Sequence, residues 1–471
     1  MRREEIKKLI KTNPDLVCDL ILTLEERIQQ LENRLAKNSH NSSKPPSTDG
    51  LRRRKKTKSL RKRSGKRKGG QKGHPGSNLK MVEKPDHTIN HEVKGNCSCG
   101  RCLENQPAIA HERRQVFDLP ELKVEITEHC AEIKQCECGQ AHVAHFPFGV
   151  NRPAQYGDRI KTFITYLMVY QHLPYERTTE LILDQFGYEI SEGSLYNFYE
   201  TCYNGLEESD EFIKEQITQS AVVDFDETGV KVNKKLHWLH SAGTQQFTYY
   251  SCHQKRGGEA MDDIGILPEF KGTAVHDFWS SYLKYDCKHA LCNSHHLREL
   301  VYIFEQHKQP WAQDMTELLL EIKEMVDSTK LYQHCLAQHI IHDFENKYKD
   351  IIQVGYKANP PPNNKSKKPK RGRPKRSEPI RLLDRFNEHS EKVLAFMYDF
   401  TVPFDNNLSE RDLQMMKLHQ KISGCFRSKK GVEMFCRIRS YISSAKKQNL
   451  NVMDALIMVF QGHPLFCECA E

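Results

Sequence analysis

No stretch of these 471 residues approaches the ~18–20 consecutive apolar side chains that a membrane-crossing helix needs, which excludes an integral helical membrane protein. The first residues, MRREEIKKLI, lack an apolar core followed by a small-residue cleavage site, so no secretory leader is expected. A cytoplasmic location follows as the expectation, and there the sixteen cysteines are thiols or metal ligands rather than disulfides. Charge of one sign is not lacking, but it is concentrated. The formal net charge is a modest +9, because two short stretches are densely basic and the rest is near balance. Clustering of that kind points to a polyanionic partner. The length suffices for two to four domains with a sizeable core.

What is present divides the chain. In residues 1–38, Val17, Ile21, Leu24, Ile28, Leu31 and Leu35 step by four and three, the spacing of a coiled-coil seam. Few other apolar residues lie nearby to cover this stripe, which favours self-association over packing on its own domain. From Asn38 the chain reads NSHNSSKPPSTDG, which opens the region 39–80 and is too poor in apolar residues for a core. It continues as LRRRKKTKSLRKRSGKRKGGQKGHPG, a basic arm suited to sequence-independent phosphate contact. Residues 81–150 carry Cys97, Cys99 and Cys102, then Cys136 and Cys138, with Cys130 and His142 nearby. Glycine follows the last cysteine of two knuckles, as a tetrahedral zinc ribbon requires. Cys99, Cys102, Cys136 and Cys138 are the expected ligands of one structural Zn2+, with free thiols as the competing reading.

Residues 151–215 read as helices. A helix from about Glu176 to Gln185, a turn at Gly187 and a second helix capped by Ser191 resemble a helix-turn-helix. Its second helix has few basic residues, so a plain helical pair is an equal alternative to a groove-reading one.

From Ser220 the pattern changes to strands: AVVDFDETGVKV, LHWLHSAG and FTYYSCH. GGEAMDDIGILPEF reads as a helix, GTAVHDFW as a fourth strand, SSYLKY as a short helix, and KHALCNSHH as a fifth strand entering a helix from about His296. Three strands, helix, strand, helix, strand is the order of a ribonuclease-H-like α/β domain. Asp226 closes or interrupts the first strand, and Asp277 ends the fourth. If these strands are neighbours, both carboxylates emerge at the sheet edge where ligands collect. Alternation places Asp224 on the same face as Asp226, and Glu227 adjoins it, so spacing leaves the ligand within DFDET open. A later helix offers Glu410, with Asp405 or Asn406 as its cap. Glu410, Gln414, Lys417 and Lys421 share one face, which carries a carboxylate toward metal and two cations toward a phosphate backbone. Hard divalent cations such as Mg2+ take oxygen ligands, and two of them ~3.5–4 Å apart activate an attacking oxygen and stabilise a leaving one at phosphorus.

NSSKPPS, GGQKGHPG, FPFGVNRPAQYG, VDFDETGV, HDFWSSY, HALCNSHHLREL, VPFDNNLSERDLQMMK, KISGCFRS and IRSYISSAKKQ together resemble the transposases of insertion-sequence family 66, a branch of the DDE transposases with a ribonuclease-H-like core. The resemblance implies that Asp226, Asp277 and Glu410 are the catalytic acids, and so selects Asp226 over Asp224. It implies two Mg2+ or Mn2+ ions, DNA cleavage and strand transfer, the terminal inverted repeats and target DNA as partners, a homo-oligomer, and accessory proteins from the same insertion element. The bacterial nucleoid is the implied location. The family's cysteine segment often carries C-x-x-C pairs, whereas this one has C-x-C forms. Cys292, His295 and Arg298 also match, without an assigned chemical step.

Between Asp277 and Glu410, residues 309–385 read as a helical insertion that ends in NPPPNNKSKKPKRGRPKRS. Arg371 and Arg373 there resemble an AT-hook laid in a narrow minor groove. The expected architecture is a multidomain α+β protein: coiled-coil helix 1–38, basic arm 39–80, zinc-ribbon-like segment 81–150, helical DNA-binding region 151–215, core 216–308, insertion 309–385, and core completion 386–471. The expected function is a DDE-type transposase. A non-catalytic DNA-binding regulator derived from one is the alternative.

Overall fold

The computed structural model describes residues 10–38, 41–42, 78–104, 106–147, 149–360 and 376–467. Most of the basic arm lies outside the described residues, as do Arg371 and Arg373. The chain forms two compact units, residues 57–126 and the remainder.

In the larger unit, helix α1 (Pro14–Ala36) starts where the Asn13 side chain accepts from the Leu16 N–H at 3.2 Å, with proline in the first turn. Ile21, Leu24, Ile28, Leu31 and Leu35 are all exposed along it. Its end is held by Lys37, which pairs with Glu378 and lies 5.0 Å over the Tyr302 ring. The short hairpin of β1 (Ile133–Gln135) and β2 (Ala141–Val143) surrounds the turn at Cys136. Gly139 turns there with φ +86 and donates to the Cys136 carbonyl at 2.8 Å.

A helical block follows: α2 (Asp158–Thr165, continued by a π turn), α3 (Tyr175–Phe186), α4 (Glu192–Asn204) and α5 (Glu207–Thr218). Ser191 caps α4, its hydroxyl accepting from the Ser194 N–H at 3.1 Å. Leu195, Phe198, Tyr199 and Cys202 point into a core shared with C-terminal helices. The outer face of α4 bears Glu192, Tyr196, Asn197 and Thr201 and no cation. That face suits a packed helical pair better than one laid against phosphates.

The sheet contains β3 (Val222–Val232), β4 (Lys235–Gly243), β5 (Thr248–His253), β6 (Thr273–His276) and β7 (Lys288–Leu291), in the order β5-β4-β3-β6-β7. The first three form an antiparallel meander, and β6 and β7 run parallel to β3. Asn233 and Lys234 make the β3–β4 turn, both with positive φ, which matches the strand twist of a two-residue hairpin. Helix α6 (Gly258–Ile264) bridges β5 to β6 and is shorter than the expected one, since Gly265 ends it in the left-handed region. Helix α7 (Asn293–His307) begins directly after β7, three residues before the expected start.

The insertion packs α8 (Pro310–Thr329), α9 (Gln338–Ala358) and α10 (Glu378–Glu388) around Trp311, Ile322, Tyr348 and Phe386. Two short helices, α11 (Ser390–Val393) and α12 (Ala395–Tyr398), return the chain to the sheet. There α13 (Asn407–Ile422) lies on β3, α14 (Lys429–Lys447) lies along β5, and α15 (Val452–Phe460) closes the helical core. Two hydroxyls of α14 cover the sheet edge: Ser444 accepts from the Thr248 N–H at 3.0 Å and Ser440 from the Tyr250 N–H at 2.9 Å. An edge strand thus has its outward N–H groups satisfied without a further strand. No helix among the described residues is long and apolar enough to cross a membrane.

The smaller unit turns at Cys97–Gly100, where Gly100 has φ +85 and donates to the Cys97 carbonyl at 2.8 Å. Cys99 and Cys102 belong to this unit, and Cys136 and Cys138 to the larger one. Among the described residues, no group of three or more His, Cys, Asp or Glu side chains is gathered as a metal ion would require.

Candidate active site

Asp226, read from the sequence as closing or interrupting the first strand, does neither: β3 stays paired with β4 as far as Val232, where the stretch AVVDFDETGVKV ends. Its parallel pairing with β6 is short and runs from Val222 with Thr273 to Asp224 with Val275. Two residues beyond that last pair, Asp226 and Asp277 stand at corresponding positions where the two strands part. The faces of β3 are distinct. Val230 and Val232 pack with Leu413 and Met416 of α13, and Asp224 and Asp226 share that parity. Val223 and Phe225 pack with Ile217 and Phe270 on the opposite side, and Glu227 shares theirs.

Helix α13 brings Glu410 to the same place. Of the two expected caps, Asp405 accepts from the Asn407 N–H at 3.3 Å, and the Asn406 side chain caps nothing. Instead the Asn406 side-chain amide donates to the Phe225 carbonyl at 2.8 Å, and its backbone N–H donates to Cys292 Sγ at 3.2 Å. These bonds fasten the first turn of α13 to β3 and to the end of β7. Along the rest of the face, Gln414, Lys417 and Lys421 are exposed.

Burial pushes the Asp226 carboxyl up to about 8, and the charges of Glu227, Asp277 and Glu410 add to the effect. Burial also raises Asp277, opposed by the Arg256 and Arg385 guanidinium groups. The Asp277 Oδ1 is buried without a hydrogen-bond partner among the described residues. Such an oxygen is costly unless a proton or a cation completes it. Glu410 accepts from Arg298 Nη2 at 3.4 Å. His295 lies 3.9 Å from the same oxygen, but burial and nearby Arg298 and Arg385 depress it to about 4, so this contact is not an ion pair at neutral pH.

The charges of Asp277 and Glu410 both reach Asp226, yet among the described residues the three acids are not drawn around a single point. Their donor set is all oxygen, which fits Mg2+ or Mn2+ rather than a thiophilic ion. The unpartnered Asp277 oxygen fits a cation as well. Arg298 competes with any such ion for the Oε1 of Glu410.

The other two acids of DFDET have different company. Glu227 is buried, with Oε1 taken by Arg256 and Oε2 accepting from the Tyr282 hydroxyl at 2.5 Å. Asp224 is pushed up to about 7 by burial, with Lys447 opposing and Asp412 adding to the rise. Lys447 itself pairs with Asp412 at 2.8 Å. Sequence patterning pointed to neither the Arg256 cluster nor the Arg298–Glu410 contact. KRGG reads as an ordinary turn, and both contacts join segments distant along the chain.

No curated protein matches this chain. Residues 1–80 match a family of unknown function, DUF6444. Residues 153–434, more than half of the chain, match the family described as Transposase IS66 family. The matched span includes the whole sheet, the helical insertion and the helix that carries Glu410. The chain belongs to the IS66 family of transposases.

Proposed function

We propose that this chain cuts DNA at the ends of its insertion element and joins those ends to target DNA, with Asp226, Asp277 and Glu410 as the metal-holding acids of a ribonuclease-H-like core. The observation that carries this reading is that Asp226 and Asp277 stand where β3 and β6 part, with Glu410 near enough that its charge and that of Asp277 add to the burial that raises Asp226 to about 8. The sheet order, a meander followed by two parallel strands, supports the same core.

Two bound Mg2+ or Mn2+ ions would activate the attacking oxygen, first of water and then of the freed 3′-hydroxyl, and stabilise the leaving one. The residues of the chain do the rest. Asp226 and Asp277 present oxygens from adjacent strands, and the rigid sheet fixes their spacing. Glu410 approaches from α13, whose first turn Asn406 anchors. Lys417 and Lys421, on the exposed continuation of that face, receive the phosphate backbone leading away from the cut. None of the three acids serves as a nucleophile, so no covalent enzyme intermediate forms.

Two DNA ends must be held together, and the exposed stripe of α1 supports self-association through a coiled coil. Sedimentation showing only monomers, with and without DNA, would remove that part of the reading. The rival is a DNA-binding regulator without catalysis. A labelled duplex bearing the insertion element's end, with Mn2+, separates the two. Metal-dependent nicking and end joining by the wild type, lost in Asp277→Ala while binding persists, is the expected result. Binding without cutting in either protein would favour the regulator or a requirement for an accessory protein, and equal cutting in both would show that Asp277 is not a ligand.

A further inference from the structure

One assembly beside the acids has no part in holding metal. Glu227, with a side chain only 1% exposed, places Oε1 at 2.7 Å from Arg256 Nε and 2.5 Å from Nη2. Its other oxygen is fixed by the Tyr282 hydroxyl at 2.5 Å. The guanidinium lies 4.8 Å from the Trp238 ring centroid and 4.3 Å from that of Trp279, so two of the chain's three tryptophans flank one arginine. Trp279 in turn meets Tyr282 edge-to-face at 6.0 Å.

Burying a carboxylate beside Asp226 and Asp277 is costly, and an apolar residue would fill that space at lower cost. What the arrangement achieves is the immobilisation of one cation. The Nε–Nη2 side is held by Glu227 and the ring system by two indoles. Nη1 has no partner among the described residues, and the Arg256 side chain remains 37% exposed. A guanidinium held in this way presents its free end as a planar fork, the geometry that matches a phosphate. Its charge also reaches Asp277, which places it next to the proposed cutting centre.

We propose that Arg256 contacts the substrate: its free end receives a phosphate of the DNA strand being cut, next to Asp226 and Asp277, and Glu227, Trp238, Trp279 and Tyr282 are the residues that position it. This rests on the transposase reading above. The fixed cation offsets charge that grows on the phosphate during displacement, and it needs no rearrangement to do so.

The test uses the full chain, Mn2+ and duplexes carrying the insertion element's end, each with one neutral methylphosphonate at a different phosphate around the cut. Arg256→Ala is expected to cut the unmodified duplex about 100-fold more slowly in single turnover. Its affinity for that duplex should fall by no more than about threefold, since one phosphate contact among many is lost. Arg256→Lys, which keeps the charge and the partner for Glu227 but not the fork, should fall between. At one methylphosphonate position the wild type should slow, Arg256→Ala should slow no further, and Arg256→Lys should slow by less than the wild type. Lys carries the test if the alanine variant does not fold. Variants that cut at the wild-type rate, or methylphosphonates that slow every protein by the same factor, would overturn the Arg256 contact alone. A wild type unable to cut the duplex would overturn the transposase reading and this proposal with it.

Discussion

Arg298 Nη2 stands 3.4 Å from Glu410 Oε1, so the third acid of the proposed centre is held by a cation from the neighbouring helix. Both side chains are about one-third exposed, which limits the pair to ~0.2–1 kcal/mol. An incoming metal that takes this oxygen competes with Arg298 for it. Arg298→Gln should therefore bind Mn2+ more tightly, by up to about fivefold, in calorimetric titration without DNA. Weaker binding would mean instead that Arg298 holds Glu410 ready for the ion.

The acids also make stability depend on pH. Asp226 rises to about 8 and Asp224 to about 7, above the ~3.9 of an unfolded chain, so between these values the folded protein holds more protons than the unfolded one. Their contribution is fully present near pH 4 and is lost as pH climbs toward 8. Buried His172, His240, His295 and His419, depressed to about 3 or 4, act in the opposite direction up to ~6.5. Above that point the acids act alone. Metal-free protein should lose on the order of 1–2 kcal/mol from pH 6.5 to 8. Denaturant midpoints across that window would show it, and Asp226→Asn should flatten the slope. An unchanged slope in the variant would contradict the raised Asp226.

Asp224 and Asp226 are separable by substitution. Asp224 faces the Lys447–Asp412 pair, whereas Asp226 faces Asp277 and Glu410. Asp226→Asn should lower the Mn2+-dependent cutting rate by roughly 1000-fold or more, and Asp224→Asn by no more than about threefold. A null phenotype for Asp224→Asn in a folded protein would reverse the assignment.

Gly272 precedes the strand that delivers Asp277. A Cβ there would lie 2.5 Å from the Ala221 carbonyl oxygen and 2.6 Å from Phe270 Cζ. Backbone cannot yield as a flexible side chain does, so Gly272→Ala should cost ~1–3 kcal/mol. Thermal unfolding measures it, and a melting temperature equal to the wild type would rule out this close approach.

The strands were legible because β-branched and aromatic residues mark them: the stretches read as AVVDFDETGVKV, LHWLHSAG and FTYYSCH match Val222–Val232, Lys235–Gly243 and Thr248–His253 to within one residue at each end. Asp226 was placed in the first of them, but not its mid-strand position, because a carboxylate in an apolar run looks like a strand end. Alternation could not rank Asp224 against Asp226, since it reports a face and not what lies across from it. The resemblance chose Asp226, and what lies across from each acid depends on α13, which reaches β3 from far along the chain. Of the two caps the sequence offered, Asp405 bonds the Asn407 N–H, whereas a tertiary bond to the Phe225 carbonyl takes the Asn406 amide. Arg256 was invisible because its value lies in Glu227, Trp238 and Trp279, none adjacent to it in sequence.

The hydroxyls of Ser440 and Ser444 that complete the outer edge of β5 come from almost the last helix to leave the ribosome. During synthesis the five strands are all exported before this helix and before Glu410. A nascent chain therefore holds an unfinished sheet, with an open edge and, on the proposed reading, two of its three acids. Premature termination anywhere in the insertion would release a fragment prone to edge-to-edge association and unable to cut. On that reading, cutting activity awaits near-completion of translation, which ties the first DNA break to an intact message.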